Sequence, residues 1–279
     1  MIPSSLAVSI VCYNSNPQLL AHTIHSLDVA AGNAKQCGVL NRIELILVDN
    51  GAEKKQSWKD LFGKEVISNC HINDILLVSG HGNIGYGRGH NLAIKRNQLD
   101  YHLVLNPDVL LAEYSLVEAL VFLDRYPELG LVAPSAVDGK GDRLYLCKRF
   151  PTVLVLLLRG FAPAWLKRIF NEKLQRYELR DVIKNEIIWD IPIVSGCFML
   201  FRTKVLLEIN GFSPGFFLYF EDFDLSLRVA KISRVAFVPN VRITHFGGHA
   251  SKKGLRHIVM FLGSAIHFYN THGWRWFKV

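Results

Sequence analysis

Leu6-Ala-Val-Ser-Ile-Val-Cys-Tyr13 gives way to Asn14-Ser-Asn-Pro17, and that break sets the reading of the fold. The first part is an apolar run of strand length and reads as a buried strand. The second supplies turn and helix-cap residues. Gln18–Ala31 follows, with Leu19, Leu20, Ile24 and Leu27 spaced to lie on one helical face. The alternation repeats outward. Arg42–Asp49 reads as a second strand closed by Asn50-Gly51, Asp74–Ser79 as a third and His102–Asn106 as a fourth. Leu92–Asn97 and Ser115–Tyr126 read as helical, and Leu129–Pro134 as a fifth strand. Near-continuous apolar strands alternating with helices predict an α/β fold, a mostly parallel, Rossmann-like sheet covered by helices on both faces. In such sheets ligands bind at the carboxyl ends of the strands. Asn14, Asp49-Asn50 and Asn106-Pro107-Asp108 stand at three of those ends.

After Pro134 the pattern loosens, with an evident turn at Asp138-Gly-Lys-Gly-Asp142. Residues 140–190 read as a basic, partly helical insertion or a mobile subdomain, and pattern resumes over Trp189–Arg202. From Lys140 to Lys184 there are 11 Lys/Arg against 4 Asp/Glu, a surplus of seven that holds most of the chain's net charge of +8. The same segment carries Val153–Leu158 and Phe161-Ala-Pro-Ala-Trp165. Basic residues interleaved with apolar ones point to an anionic membrane surface or an anionic amphiphile. A solvated basic helix explains the composition equally well. No nucleic-acid-binding motif is present.

With half of its 279 residues hydrophobic and a fifth charged, the chain is globular. Met1-Ile-Pro-Ser-Ser lacks the basic start of a signal peptide. No apolar stretch reaches the ~18–20 residues that span a bilayer. Cys12, Cys37, Cys70, Cys147 and Cys197 are odd in number and form no Cys-x-x-Cys pair. Neither a zinc site nor a disulfide framework is expected, and buried free thiols are.

Chemistry concentrates in four places. Gly215-Phe-Phe-Leu-Tyr-Phe-Glu221-Asp222-Phe-Asp224-Leu-Ser-Leu-Arg228 sets two acids against apolar residues. Desolvation there raises a carboxylate's pKa and makes it a better proton acceptor. A helix cap at Asp222, with Asp224 in the first turn, is the structural alternative. Asn106-Pro107-Asp108 offers oxygen ligands for Mg²⁺ or Mn²⁺, or simply a proline turn. Gly80-His-Gly82-Asn-Ile-Gly85 matches a dinucleotide fingerprint in letters. It follows a third strand, however, and its glycines continue to Gly87 and Gly89, so close backbone approach to a ligand is the better reading. Arg242-Ile-Thr-His245-Phe-Gly-Gly-His249 adds two histidines able to ligate a metal.

Taken in order, these segments resemble the inverting GT-A glycosyltransferases of family 2, and within them the bacterial rhamnosyltransferase-like group. The matching stretches run from Val8 to Ser251: Val8–Ser15, Leu47–Gly51, Asn83–Asn91, Leu105–Asp108, Ser195–Arg202, Tyr219–Arg228 and His245–Ser251. The resemblance implies one GT-A domain over 1–279, with a nucleotide-sugar-binding half at 1–135 and an acceptor-binding, catalytic half at 136–279. It implies that Tyr13, Asn14 and Asp49 line the base and ribose, and that Asn83, Gly85, Asn91 and Asn106 shape the substrate pocket. Asp108, helped by His245, would hold a divalent metal (Mg²⁺ or Mn²⁺) against the donor diphosphate. Asp222 would be the general base, and Glu221 would position a sugar. The broader family carries Asp where Asn106 stands. Rhamnosyltransferase-like sequences share the Asn, which leaves fewer charges on the metal.

The expected function is transfer of a sugar, foremost L-rhamnose from dTDP-L-rhamnose. The acceptor would be a saccharide or lipid-linked glycan in cell-surface polysaccharide or lipopolysaccharide synthesis. The expected location is cytoplasmic, with peripheral contact at the inner face of the membrane through the basic segment, Lys252-Lys253, Arg256 and Trp274–Lys278. A UDP-hexose-dependent enzyme of the same fold and a non-catalytic nucleotide-sugar- or glycan-binding module are the alternatives. A dinucleotide-dependent oxidoreductase rests on Gly80–Gly85 alone.

Overall fold

The computed structural model describes residues 2–51, 70–247 and 254–277. His249, Ser251, Lys252, Lys253 and Lys278 lie outside them. Three strands, β1 (Ser4–Cys12), β2 (Leu40–Asp49) and β4 (Tyr101–Leu105), run parallel side by side, with β1 in the middle. On β1, Leu6, Val8 and Ile10 face one side of the sheet, while Ala7 and Val11 face the other, and all are buried. Burial on both faces is why this strand reads as an unbroken apolar run. Helix α1 (Pro17–Gln36) covers the first face with Leu20, Ile24 and Leu27. Each such side chain contributes roughly 1.5–3 kcal/mol by leaving water. Its start is fixed by Pro17 and by Asn16, whose Oδ1 accepts from the Gln18 and Leu19 amides. Helix α2 (Tyr86–Ile94) covers the second face. β3 (Asp74–Val78) pairs with β2 at the sheet's edge. Its Ile75, Leu76 and Leu77 are exposed, unlike the covered strand expected.

The sheet continues past β4 in mixed directions. β5 (Val109–Leu111), α3 (Ser115–Arg125) and β6 (Leu129–Val137) follow β4 in the chain. The insertion then carries β7 (Arg143–Leu144), β8 (Cys147–Lys148), α4 (Val153–Phe161), α5 (Ala164–Ile169), α6 (Asn171–Tyr177) and β9 (Ile188–Trp189). It is folded and tied together, for example by the paired bonds of Arg149 to the Asp181 carboxylate at 2.8 Å. Last come β10 (Ile193–Val194), β11 (Phe198–Arg202), α7 (Thr203–Glu208), α8 (Glu221–Val229), β12 (Arg234–His245) and α9 (Gly254–His272). The order across the sheet is β3-β2-β1-β4-β11-β6-β12-β5.

Two pairings position the site. β11 runs antiparallel to β4, so its N-terminal end, with Gly196 just before it, lies at the carboxyl edge of β1, β2 and β4. β12 runs antiparallel to β5 with His245 opposite Val109, which sets His245 beside Asp108. Cys12, Cys147 and Cys197 are buried free thiols as expected, whereas Cys37 is exposed and Cys70 half-buried.

Candidate active site

Two adjoining clefts open at the carboxyl edge. The first, about 480 Å³, is lined by Tyr13, Asn14, Asn50, Asn83, Asp108 and Arg256, among others. The second, about 640 Å³, has Glu221 and Asp222 on one wall, Lys148 and Arg159 among its cations, and Phe161, Phe220, Ile258 and Phe261 among its apolar lining. His257 of α9 lines both.

In the first cleft the Asp108 Oδ1 is buried without a hydrogen-bond partner, and His245 Nε2 lies 3.4 Å from it. A Cβ on Gly247 would fall 2.5 Å from Asp108 Oδ2 and 2.6 Å from His245 Nε2, so a side chain there would fill the space between them. An orphaned carboxylate oxygen beside an imidazole fits a divalent cation with two protein donors, the remaining positions falling to a ligand's oxygens. Among the described residues no group of three or more His, Cys, Asp or Glu is arranged to hold a metal.

The second cleft's carboxylates sit at the start of α8. Tyr219 and Phe220, just before them, both adopt left-handed backbone, with φ of 73° and 65°. Two such non-glycine residues in succession cost of order 1–3 kcal/mol each. Packing holds them there: Phe220 lies against Phe223, Phe261 and Phe268, and the Tyr219 hydroxyl is 2.9 Å from His257 Nδ1. Glu221 behind that aromatic wall is buried, and Asp222 is half-buried. Asp222 Oδ2 accepts from the Gly196 amide at 2.8 Å and Oδ1 from the Phe223 amide at 3.0 Å, while Glu221 Oε2 has no partner. Desolvation raises the pKa of each, and for Glu221 the neighbouring Asp222 charge raises it further. Asp224, also in the first turn, is committed elsewhere. Its two oxygens are held by Arg228 and by His272 at 2.8 Å.

Tyr86 joins the clefts. Its hydroxyl donates to the Gly196 carbonyl at 2.7 Å and lies 3.0 Å from the Asn106 carboxamide. Desolvation and the surrounding acidic groups, Cys197 first, then Glu221, Asp222 and Asp108, raise its pKa well above the ordinary value. Across the second cleft, Glu178 is shared by three cations, Lys148, Arg159 and Arg180, leaving a surplus of positive charge. Burial pulls the Lys148 ammonium down to about 8.

No protein-family model matches the chain. A rhamnosyltransferase of Escherichia coli K12, WbbL, is 27% identical over 195 residues, 65% of this chain and 68% of that protein. The N-acetylglucosaminyl-diphospho-decaprenol L-rhamnosyltransferase of Mycobacterium tuberculosis CDC 1551 is 24% identical over 226 residues, 75% of this chain and 68% of that protein. A mannosyltransferase of Pyrobaculum calidifontis, solved with GDP-Man and Mn²⁺, superposes with a TM-score of 0.61 over 95% of this chain, at 16% identity. GalNAc-T7, solved with UDP, GalNAc and Mn²⁺, gives 0.58 over 88% at 15% identity. The chain spans 65% of the first of those structures and 44% of the second. The chain has a GT-A fold and is similar in sequence to rhamnosyltransferases. No helix among its described residues is long and apolar enough to cross a membrane.

The fold brings Tyr13, Asn14, Asn83, Asn106 and Asp108 to one cleft. Asp49 turns to the Gly51 amide, and its neighbour Asn50 lines the cleft instead, bonded to the Gly85 carbonyl and to His81. Asn91 exchanges two hydrogen bonds with the Phe212 backbone, outside the cleft lining. Gly85 adopts φ of 92°, and a Cβ there would meet the Phe217 carbonyl oxygen at 2.4 Å. It therefore serves close packing of backbone on backbone rather than of backbone on a ligand. Asn50 stands out in the sequence only as strand-end punctuation beside Asp49, Tyr86 and His257 are not singled out there, and Arg256, expected at the membrane face, lines the first cleft. Asparagine after Asp49 and tyrosine among glycines were the available signals. Nothing local marks the α9 residues, which arrive from the far end of the chain.

Proposed function

We propose that the chain is an inverting family 2 glycosyltransferase that moves a sugar, foremost L-rhamnose from dTDP-L-rhamnose, onto a saccharide or lipid-linked acceptor. The product would belong to a cell-surface polysaccharide or lipopolysaccharide. The observation that carries this reading is the desolvated Asp222–Glu221 pair in one cleft, adjoining the Asp108–His245 pair and Arg256 in the next. A base for an acceptor hydroxyl and a cradle for a diphosphate then stand side by side.

The nucleotide would lie in the first cleft against Tyr13, Asn14, Asn50 and Asn83. Asp108 and His245 would hold a Mg²⁺ or Mn²⁺ ion, which supplies charge neutralisation to the departing diphosphate. Arg256, which lines the same cleft, would pair with those phosphates. Asp222 takes the proton of the acceptor hydroxyl as its oxygen attacks the anomeric carbon. The bond from that carbon to the diphosphate breaks on the opposite face, giving inversion in one displacement.

A thermal-shift series with dTDP-L-rhamnose, UDP-glucose, UDP-galactose, UDP-GlcNAc and GDP-mannose, each with and without Mn²⁺, tests the reading. At a hundred times Kd a ligand adds about 2.7 kcal/mol, enough for a shift of several degrees. Metal-dependent stabilisation greatest with dTDP-L-rhamnose is expected. A larger shift with a UDP-sugar would replace the donor and keep the mechanism. No shift with any donor would count against the enzyme reading.

A further inference from the structure

Half of the exposed large apolar side chains among the described residues belong to just two stretches, 153–169 and 254–277. On α4 and α5 they recur every fourth residue: Leu157, Phe161, Trp165 and Ile169 are each at least half exposed. On α9 the buried face is Ser264, Ala265, Phe268 and Tyr269. The adjoining face carries Leu255, Ile258, Val259, Leu262 and Ile266, of which Leu255 and Val259 are 81% and 70% exposed. The tail joins the two. Val153 donates its amide to the Arg275 carbonyl at 2.8 Å, and Lys173 Nζ donates to the Phe277 carbonyl at 2.8 Å. Trp274 and Trp276 stack on each other in that tail, both about half exposed. The two stripes reach the rim of the second cleft, at Phe161 and Ile258.

Scattered apolar residues are normal on a surface, but aligned stripes of this extent mark an interface. Charge decides what it meets. Neither stretch contains a single Asp or Glu, while both carry Arg or Lys, including Lys167, Arg168 and Arg275. A second copy of the chain would set like charges against each other, whereas an anionic lipid surface complements them. Tryptophans at the edge of the patch suit the boundary between headgroup and acyl chain.

We propose that α4–α5, α9 and the tail form one surface that seats the protein on an anionic bilayer, with the Glu221–Asp222 cleft opening at the lipid boundary. This reading rests on surface composition and not on the transfer reaction. Donor-induced stabilisation of the same protein reports that reaction's reading separately.

The test is co-sedimentation of the full chain with vesicles of phosphatidylcholine alone and of phosphatidylcholine mixed equally with phosphatidylglycerol. Binding to the mixed vesicles is expected, weaker by tenfold or more on phosphatidylcholine alone. The double variants are Val259→Glu/Ile266→Glu, both exposed, and Lys167→Glu/Arg168→Glu, of which Lys167 is half-buried and donates to the Arg159 carbonyl, and circular dichroism checks that each folds. Each is expected to lower partitioning at least tenfold, as about 1 kcal/mol per surface cation implies for the second. The proposal is overturned by failure to bind mixed vesicles, or by unchanged binding of Val259→Glu/Ile266→Glu. It is equally overturned if the wild-type chain self-associates in sedimentation and that variant abolishes the self-association, which would assign the surface to a second copy.

Discussion

Asp222 and Glu221 are neighbours in the chain but unequal in their partners. Asp222 accepts two backbone N–H bonds, which favour its charged form, while Glu221 keeps a buried oxygen with none. The single proton that two crowded acids retain near neutrality therefore belongs on Glu221, leaving Asp222 ionised to act as base. Asp222→Asn removes the proton acceptor and keeps the shape. Transfer is expected to fall by about 10²–10⁴-fold, with donor affinity by titration unchanged. Full activity in that variant would sink the base assignment. Glu221→Gln mimics the protonated acid. The rise of kcat/KM with pH, as Asp222 ionises, should then stay where it is in the wild type. A rise moved a full unit or more to lower pH would show the proton to be shared differently.

The base reaches the nucleotide edge because elements distant in sequence are clamped together. Gly196 donates its amide to Asp222 and accepts from Tyr86 at its carbonyl, so β11, α8 and the start of α2 share one residue. The loop before α8 packs in turn on α2, where the Tyr86 amide donates to the Phe217 carbonyl at 3.1 Å. Gly85→Ala would strain a left-handed backbone and drive a methyl group into that carbonyl. A loss of about 2–4 kcal/mol in urea unfolding is expected, together with weaker donor binding as the cleft wall shifts. Stability within 0.5 kcal/mol of wild type would contradict the packing role. These clamps also set how much was legible beforehand. β1, β2, β4 and β6 announce themselves because burial on both faces demands uninterrupted apolar residues, and Glu221-Asp222 is conspicuous as charge after an aromatic run. Asp49 and Asn50 were less separable, since one step along a strand end decides which side chain enters the cleft. Tyr86, Arg256 and His257 owe their places to the docking of α2 and α9 against residues far away in the chain, which no local pattern records.

Across the whole molecule, buried ionisable groups pull stability in opposite directions with pH. His90 and His102 lie in the core, each hydrogen-bonded to the Ser9 hydroxyl, at 2.7 and 2.8 Å. Burial lowers both pKa values, that of His102 to about 3, so they are neutral in the folded state. Groups whose folded pKa is depressed contribute stability that is present above the unfolded value, about 6.5 for His, and is lost as pH falls toward the folded one. Asp28 and Glu178, also lowered on balance by their hydrogen bonds and cations, add to the loss on the acid side below about pH 4. Glu221 and Asp222 work the other way. Their raised values mean that the protonated folded state is favoured at low pH and that stability is lost as pH rises through their range. Between about pH 6.5 and 8 the two core histidines no longer change, the carboxylate pair still titrates, and the Lys148 ammonium, lowered to about 8, begins to lose its proton, which offsets part of the carboxylates' effect. Thermal stability is therefore expected to peak near or just below neutrality and to decline toward pH 8. Glu221→Gln should flatten that decline, because its neutral amide costs nothing further to bury as pH rises. His102→Asn should instead soften the fall on the acid side. Melting temperatures of the three proteins across pH 5 to 8 separate the two effects, and a decline toward pH 8 that survives Glu221→Gln would move its origin away from the active-site carboxylates.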